Sequence, residues 1–180
     1  MFQNCLKLKN ISALKNWNIT NSTSFQEMFS YCIKLVDISP IKEWNVSNSL
    51  FFDGMFYDCE SLVDINPLKN WNISNSISLN EMFSQCSSLE DISPLKDWNV
   101  TNITSFDKMF FYCPKLKDVS PLKDWNVSNF TSFEDMLSGC WNLNDISPLK
   151  KWNISNLESF EAIICGWGKN KSSDSDTDSK

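Results

Sequence analysis

Residues Cys86 to Tyr112 read CSSLEDISPLKDWNVTNITSFDKMFFY, and most of the chain is that stretch written again. Tryptophans stand at Trp17, Trp44, Trp71, Trp98, Trp125 and Trp152, each 27 residues after the last. Cysteines at Cys5, Cys32, Cys59, Cys86, Cys113 and Cys140 keep the same 27-residue step. A period in this range that holds without insertion or deletion marks a stacked array, because one unit alone cannot bury its own apolar face.

Two apolar patterns alternate within the unit. Phe106, Met109, Phe110 and Cys113 fall at i, i+3, i+4 and i+7, the stripe of a short helix. Ser105 is placed to cap it, and Ser24 with Glu27 and Ser78 with Glu81 have the spacing of a capping box. A helix of two to three turns does not persist alone in water, so the neighbouring units must hold it. Leu89, Ile92, Leu95 and Trp98 instead step by three and include Pro94, which fits neither a continuous helix nor an alternating strand. This half predicts a strand near Leu89–Ile92, a turn at Ser93–Pro94 and a second extended piece at Trp98–Val100. The expected fold is an α/β repeat solenoid, leucine-rich-repeat-like, with one short helix and one or two short strands per coil.

The expected organisation is one solenoid over residues 1–168, with about six coils and a degenerate last one, followed by a polar tail at 169–180. Ser159–Gly168 reads as a closing helix. The chain opens inside a unit, since Met1 and Phe2 match Met28 and Phe29, so an uncapped first coil could stack on another copy. No apolar run is long enough to cross a membrane, and Leu6-Lys7-Leu8-Lys9 interrupts any signal-like start. That start, together with reduced cysteines, suggests an intracellular setting. The chain has a net charge of −6, with 16 lysines and no arginine or histidine. Lacking the arginine fork and repelling polyanions, it is not expected to bind nucleic acid. Lacking histidine, it has neither the usual nucleophile–base pairs nor common zinc sites.

Met109-Phe110-x-x-Cys113-x-x-Leu116-x-x-Val119-Ser120, then Trp125-Asn126-Val127-Ser128-Asn129 and Phe133-x-x-Met136, resemble the repeat of the BspA-like leucine-rich-repeat surface proteins. The likeness runs from Met1 to about Phe160; Ser-Pro-Leu-Lys makes the corner here longer than in that family. It implies a leucine-rich-repeat-like solenoid used for protein binding, adhesion or surface display, and it carries no catalytic residues.

Each column has a chemical and a structural reading. Cys32, Cys59, Cys86, Cys113 and Cys140 could form a disulfide or metal ladder, but their place on the apolar stripe and the odd total of seven favour buried free thiols. The tryptophans could be a carbohydrate-binding aromatic track; a packed core ladder is favoured. Asn45, Asn72, Asn99 and Asn126 open N-x-S/T acceptors, but an amide ladder linking coils is the preferred reading. Asp37, Asp64, Asp91, Asp118 and Asp145 read as acceptors for corner N–H groups, eased by a lysine column, rather than as calcium ligands. No cofactor, metal or catalytic residue is expected. Because positions that hold an array together repeat, a binding surface belongs where units differ yet face water. That selects Val36, Val63, Glu90 and Lys117 on the first strand, and Tyr31, Tyr57, Phe111 and Tyr112 on the helix flank. The sequence thus reads as a non-enzymatic protein-interaction or surface-recognition module, with a self-associating structural component as the alternative.

Overall fold

The computed structural model describes residues 1–152 and Ile163. Its coils are chains of tight turns. In the central coil the N–H of Cys86 bonds the carbonyl of Phe83 (3.2 Å), Leu89 bonds Cys86 (3.0 Å), Leu95 bonds Ile92 (3.0 Å), Trp98 bonds Leu95 (3.1 Å) and Ile103 bonds Val100 (2.9 Å). Each closes on a residue three back and returns one apolar side chain to the interior. The step of three in Leu89, Ile92, Leu95 and Trp98 is therefore the signature of successive corners. Pro94 lies in a 3-10 helix, Ser93–Leu95, where its fixed φ fits the first turn and its missing N–H costs nothing. Equivalent 3-10 helices at Ser12–Leu14, Ser39–Ile41, Asn66–Leu68, Ser120–Leu122 and Ser147–Lys151 stand one per coil.

The helix expected at Phe106–Cys113 does not form, and residues 1–152 contain no α-helix. Lys108 (φ +54°) and Tyr112 (φ +56°) are left-handed, as are Glu27, Tyr31, Asp58, Glu81, Gln85 and Asp135 in the other coils. A left-handed residue every fourth position cannot continue a right-handed helix. The amides are shared instead between two directions. Those of Phe106, Lys108, Phe110 and Tyr112 donate to Ser132, Glu134, Met136 and Ser138 of the next coil at 3.2, 2.8, 3.0 and 2.7 Å. Those of Met109 and Phe111 close turns on Phe106 and Lys108 at 3.1 and 3.0 Å. A helix this short would leave its first four N–H groups unpaired, whereas the equivalent segment of the next coil supplies acceptors in register. The four stripe residues reach the core either way.

The strand expectations also change. Leu89–Ile92 and Trp98–Val100 form no ladder; parallel pairing is confined to single bridges joining Ser24, Phe51, Ser78, Ser105 and Ser132 in sequence. The serines assigned to helix caps are thus the bridging positions. Their hydroxyls accept from the amide two residues on, as in Gln26 to Ser24 (3.3 Å) and Asp107 to Ser105 (3.3 Å). Glu27, expected to close a capping box, bonds Gln3.

One continuous core fills the stack. Phe29, Phe56, Phe83 and Phe110 stack ring over ring with centroids 5.7, 5.7 and 5.8 Å apart. Phe25 and Phe52 begin a second column, at 5.6 Å. Such pairs add about 0.5–1.5 kcal/mol each beyond their buried area. Ile163 is buried, and its carbonyl accepts the Leu137 amide at 2.9 Å, in register with the bonds between earlier coils. The closing helix expected at 159–168 otherwise lies outside the described residues, as does the tail at 169–180. No helix among the described residues is long and apolar enough to cross a membrane.

Candidate binding surface

The inward columns are tied to the preceding coil by side-chain donors. The indole N–H groups of Trp44, Trp71, Trp98, Trp125 and Trp152 donate to the carbonyls of Leu14, Ile41, Leu68, Leu95 and Leu122 at 2.9–3.2 Å. These five indoles are buried, so they form no surface track for a polysaccharide; Trp17, in the first coil, is 39% exposed. The thiols of Cys32, Cys59, Cys86, Cys113 and Cys140 donate to the carbonyls of Phe2, Phe29, Phe56, Phe83 and Phe110 at 3.1–3.2 Å. All five are free and buried, while Cys5 is free and exposed. Burial, first of all, pushes Cys32 up to about 11 and Cys140 up to about 12, and lifts Cys59, Cys86 and Cys113 further. Thiols held neutral in this way are neither nucleophiles nor metal ligands. No group of three or more acidic or cysteine side chains among the described residues could hold a metal ion.

The asparagine column does not link coils. Asn45, Asn72, Asn99 and Asn126 each accept from the backbone N–H two residues on, at 3.1–3.2 Å, within their own coil. The link is made three residues later. Asn48, Asn75, Asn102 and Asn129 donate from Nδ2 to carbonyls of the preceding coil at Thr20, Ser47, Ser74 and Thr101, at 2.7–2.8 Å. Both asparagines recur in the sequence, but only the second one's side chain points along the stack. The Asp column accepts from corner amides, as in Ser93 to Asp91 at 2.7 Å. That bond, from Ser147, leads the effects holding Asp145 below the usual carboxyl range. Lys42, Lys96 and Lys123 pair with the adjacent Glu43, Asp97 and Asp124 rather than with that column.

The variable positions all reach the surface, in two places. Val36 and Val63 are 55% and 50% exposed, and beside them Lys117 bonds Glu90 at 2.8 Å, holding that carboxyl below its ordinary range. They lie on irregular chain with no strand pairing, not on the sheet face expected from the sequence. The aromatic flank divides into two clusters. Tyr31 and Tyr57 meet at 5.1 Å between centroids. Gln85 donates to the Tyr57 hydroxyl, whose pKa burial, followed by the contact with Tyr31, pushes up to about 12. Farther along, Phe111 meets Tyr112 at 5.9 Å, and Tyr112 meets Trp141 edge-on at 4.9 Å. Trp141, 49% exposed, was not singled out by the sequence reading. Its signal was its place just after Cys140, outside the tryptophan column. Tyr112 lies directly over Gly139 (φ +79°), where a Cβ would sit 2.8 Å from its ring.

Next to Tyr31 and Tyr57 the surface is recessed. A cleft of about 410 Å³ is lined by Gln26, Glu27, Asp53, Gly54, Asn80 and Glu81. A smaller one of about 160 Å³, sharing Glu27, Gly54 and Glu81, adds Ser30, Tyr31 and Tyr57.

The family described as "Mycoplasma protein of unknown function, DUF285" matches residues 1–93 and 78–167. No curated protein sequence matches the chain. Among solved structures, a leucine rich cell surface protein from Faecalibacterium prausnitzii A2-165 is similar at 17% identity with a TM-score of 0.37. That similarity covers 70% of this chain and spans 40% of the other's length.

Proposed function

We propose, from the premise that this chain belongs to the DUF285 family, that it is a non-enzymatic module presenting an aromatic flank to a protein partner. One observation carries this reading. Tyr31, Tyr112 and Trp141, three of the large aromatic side chains, stand 36%, 44% and 49% exposed along one flank, while the phenylalanine columns and the tryptophans from Trp44 to Trp152 in the 27-residue column are buried. Large amphipathic rings of this kind dominate binding energy at interfaces. The resemblance to BspA-like surface proteins agrees with it. The alternative, end-to-end self-association, is favoured by Leu6, 50% exposed, and Trp17 on the first coil.

Size-exclusion chromatography with light scattering separates the two: a monomer across the concentration range supports the interaction module, and concentration-dependent oligomers support stacking. With a partner in hand, Phe111→Ala/Tyr112→Ala and Val63→Ser/Lys117→Ser divide the surface. The first pair is expected to abolish binding. Loss only with the second pair moves the interface to the surface of Val36, Val63, Glu90 and Lys117, and loss with neither refutes the assignment.

A further inference from the structure

The triplet Asn-x-Ser/Thr recurs once per coil at Asn18, Asn45, Asn72, Asn99 and Asn126, with Ile or Val in the middle. That middle residue is buried in each of these coils, from Ile19 to Val127. The asparagine and the hydroxyl residue on either side of it therefore turn outward together, and all five asparagines are exposed. Each uses only its Oδ1, which accepts the backbone N–H two residues on at 3.1–3.2 Å. At Asn45 the Ser47 hydroxyl donates to the same oxygen at 2.7 Å. The Nδ2 groups of these five make no hydrogen bond among the described residues. The same triplet opens at Asn102 and Asn129. There Nδ2 is spent on the carbonyls of Ser74 and Thr101 in the preceding coil, at 2.7 and 2.8 Å. One set of triplets thus has its amide nitrogen free, and the other has it built into the stack.

We propose that Asn18, Asn45, Asn72, Asn99 and Asn126 form a column of acceptor sites for N-linked glycan, and that Asn102 and Asn129, which carry the same triplet, are not acceptors. An asparagine followed two residues on by a hydroxyl is the pattern that oligosaccharide transfer requires. The reaction joins Nδ2 to the anomeric carbon of a glycan carried on a polyprenyl pyrophosphate. The bond from that carbon to the pyrophosphate oxygen breaks, the lipid pyrophosphate departs with the electron pair, and one Nδ2 proton passes to a base on the transferase. Oδ1 keeps its turn bond throughout, so the coil retains its shape. At Asn102 a sugar on Nδ2 would take the space held by the Ser74 carbonyl, and the link between coils would be lost. Successive acceptors stand one coil apart, roughly 5 Å, so glycans fit on alternate coils rather than on all. The column lies half a period from the aromatic flank, as Asn99 does from Tyr112. A glycan there clothes one side of the stack and leaves that flank bare.

These sites stand or fall independently of the protein-partner reading. The test takes the full chain from the cells that make it, treats it in H₂¹⁸O with and without peptide-N-glycosidase, and locates asparagines converted to ¹⁸O-labelled aspartate by mass spectrometry. The expected result is enzyme-dependent label at one or more of Asn18, Asn45, Asn72, Asn99 and Asn126, and none at Asn102 or Asn129. At a labelled site, replacing the hydroxyl residue, as in Ser47→Ala or Ser74→Ala, should abolish the label there and leave the far-UV circular dichroism unchanged, because the backbone N–H still bonds Oδ1. A chain with no label, label confined to asparagines outside the column, or equal label at Asn102 and Asn129 overturns the assignment. So does label that forms without the glycosidase, which is spontaneous deamidation, or that survives loss of the hydroxyl.

Discussion

Trp98→Ala tests the packing of the array at its centre. Trp98 is 4% exposed, and its indole N–H donates to the Leu68 carbonyl at 3.1 Å. Truncating a large aromatic in a packed core costs about 3–5 kcal/mol. Losing the indole bond contributes about 1 kcal/mol of this, and no more, because the Leu68 carbonyl keeps the Trp71 amide at 3.0 Å. Trp98→Phe, which keeps most of the volume, should therefore cost about 1–2 kcal/mol. The neighbouring coil supplies an internal calibration. Trp71 has the same burial and the same bond, but it also meets Phe52 at 5.7 Å, whereas Leu79 stands at the corresponding place beside Trp98. Trp71→Ala should thus exceed Trp98→Ala by about 0.5–1.5 kcal/mol, the worth of one aromatic pair. Equilibrium urea unfolding with an unchanged slope measures all three. A Trp98→Ala cost below about 1 kcal/mol would refute the buried ladder.

In the native chain Cys5 should be alkylated quickly and the five buried column cysteines only after denaturant is added, as read by mass spectrometry. Because folding raises these thiol pKa values above 9.0, their contribution to stability is fully present below about pH 9. It is lost as pH rises through about 11 to 12, so the urea midpoint should fall over that window. Lys108→Gly separates turn from helix: a helix would lose about 1 kcal/mol, but the left-handed backbone at φ +54° should be unchanged or gain up to about 1 kcal/mol. Asn102→Ala, which removes a 2.7 Å bond between coils, should cost about 1 kcal/mol and more than Asn99→Ala, which removes a 3.2 Å bond within one. Equal costs would deny that Asn102 is the link.

The stacked architecture was legible because strict recurrence admits few other arrangements, and the interior columns could be named because each coil repeats the same inward choices. The local conformation was not legible. Phe106, Met109, Phe110 and Cys113 satisfy a helix and a four-residue alternation of right- and left-handed turns equally well. What decides between them is an acceptor in the next coil, 26 residues away, as in Lys108 to Glu134. Trp98 and its neighbours likewise stepped by three for a reason, consecutive corners, that lies between the usual periods. Asn99 and Asn102 recur alike, and only the direction of each side chain separates the turn-former from the link. The aromatic flank was found by its variation from coil to coil, a signal that Trp141, standing outside the tryptophan column, gave in another form.

The bonds that join neighbouring coils have a genealogical consequence. Each column indole from Trp44 to Trp152 and each column thiol from Cys32 to Cys140 reaches a carbonyl 30 residues earlier, one period of 27 plus three. A recombination event that deletes or duplicates one whole period, such as joining Ile65 directly to Ser93, hands every donor an equivalent acceptor. An event out of step by a single residue displaces all of them at once. Lineages carrying such a gene can therefore lengthen or shorten the stack in one heritable step, and can mutate the water-facing residues of one copy while its siblings maintain the shape. An idiosyncrasy such as the glycine at position 54 is then inherited as the mark of a particular copy.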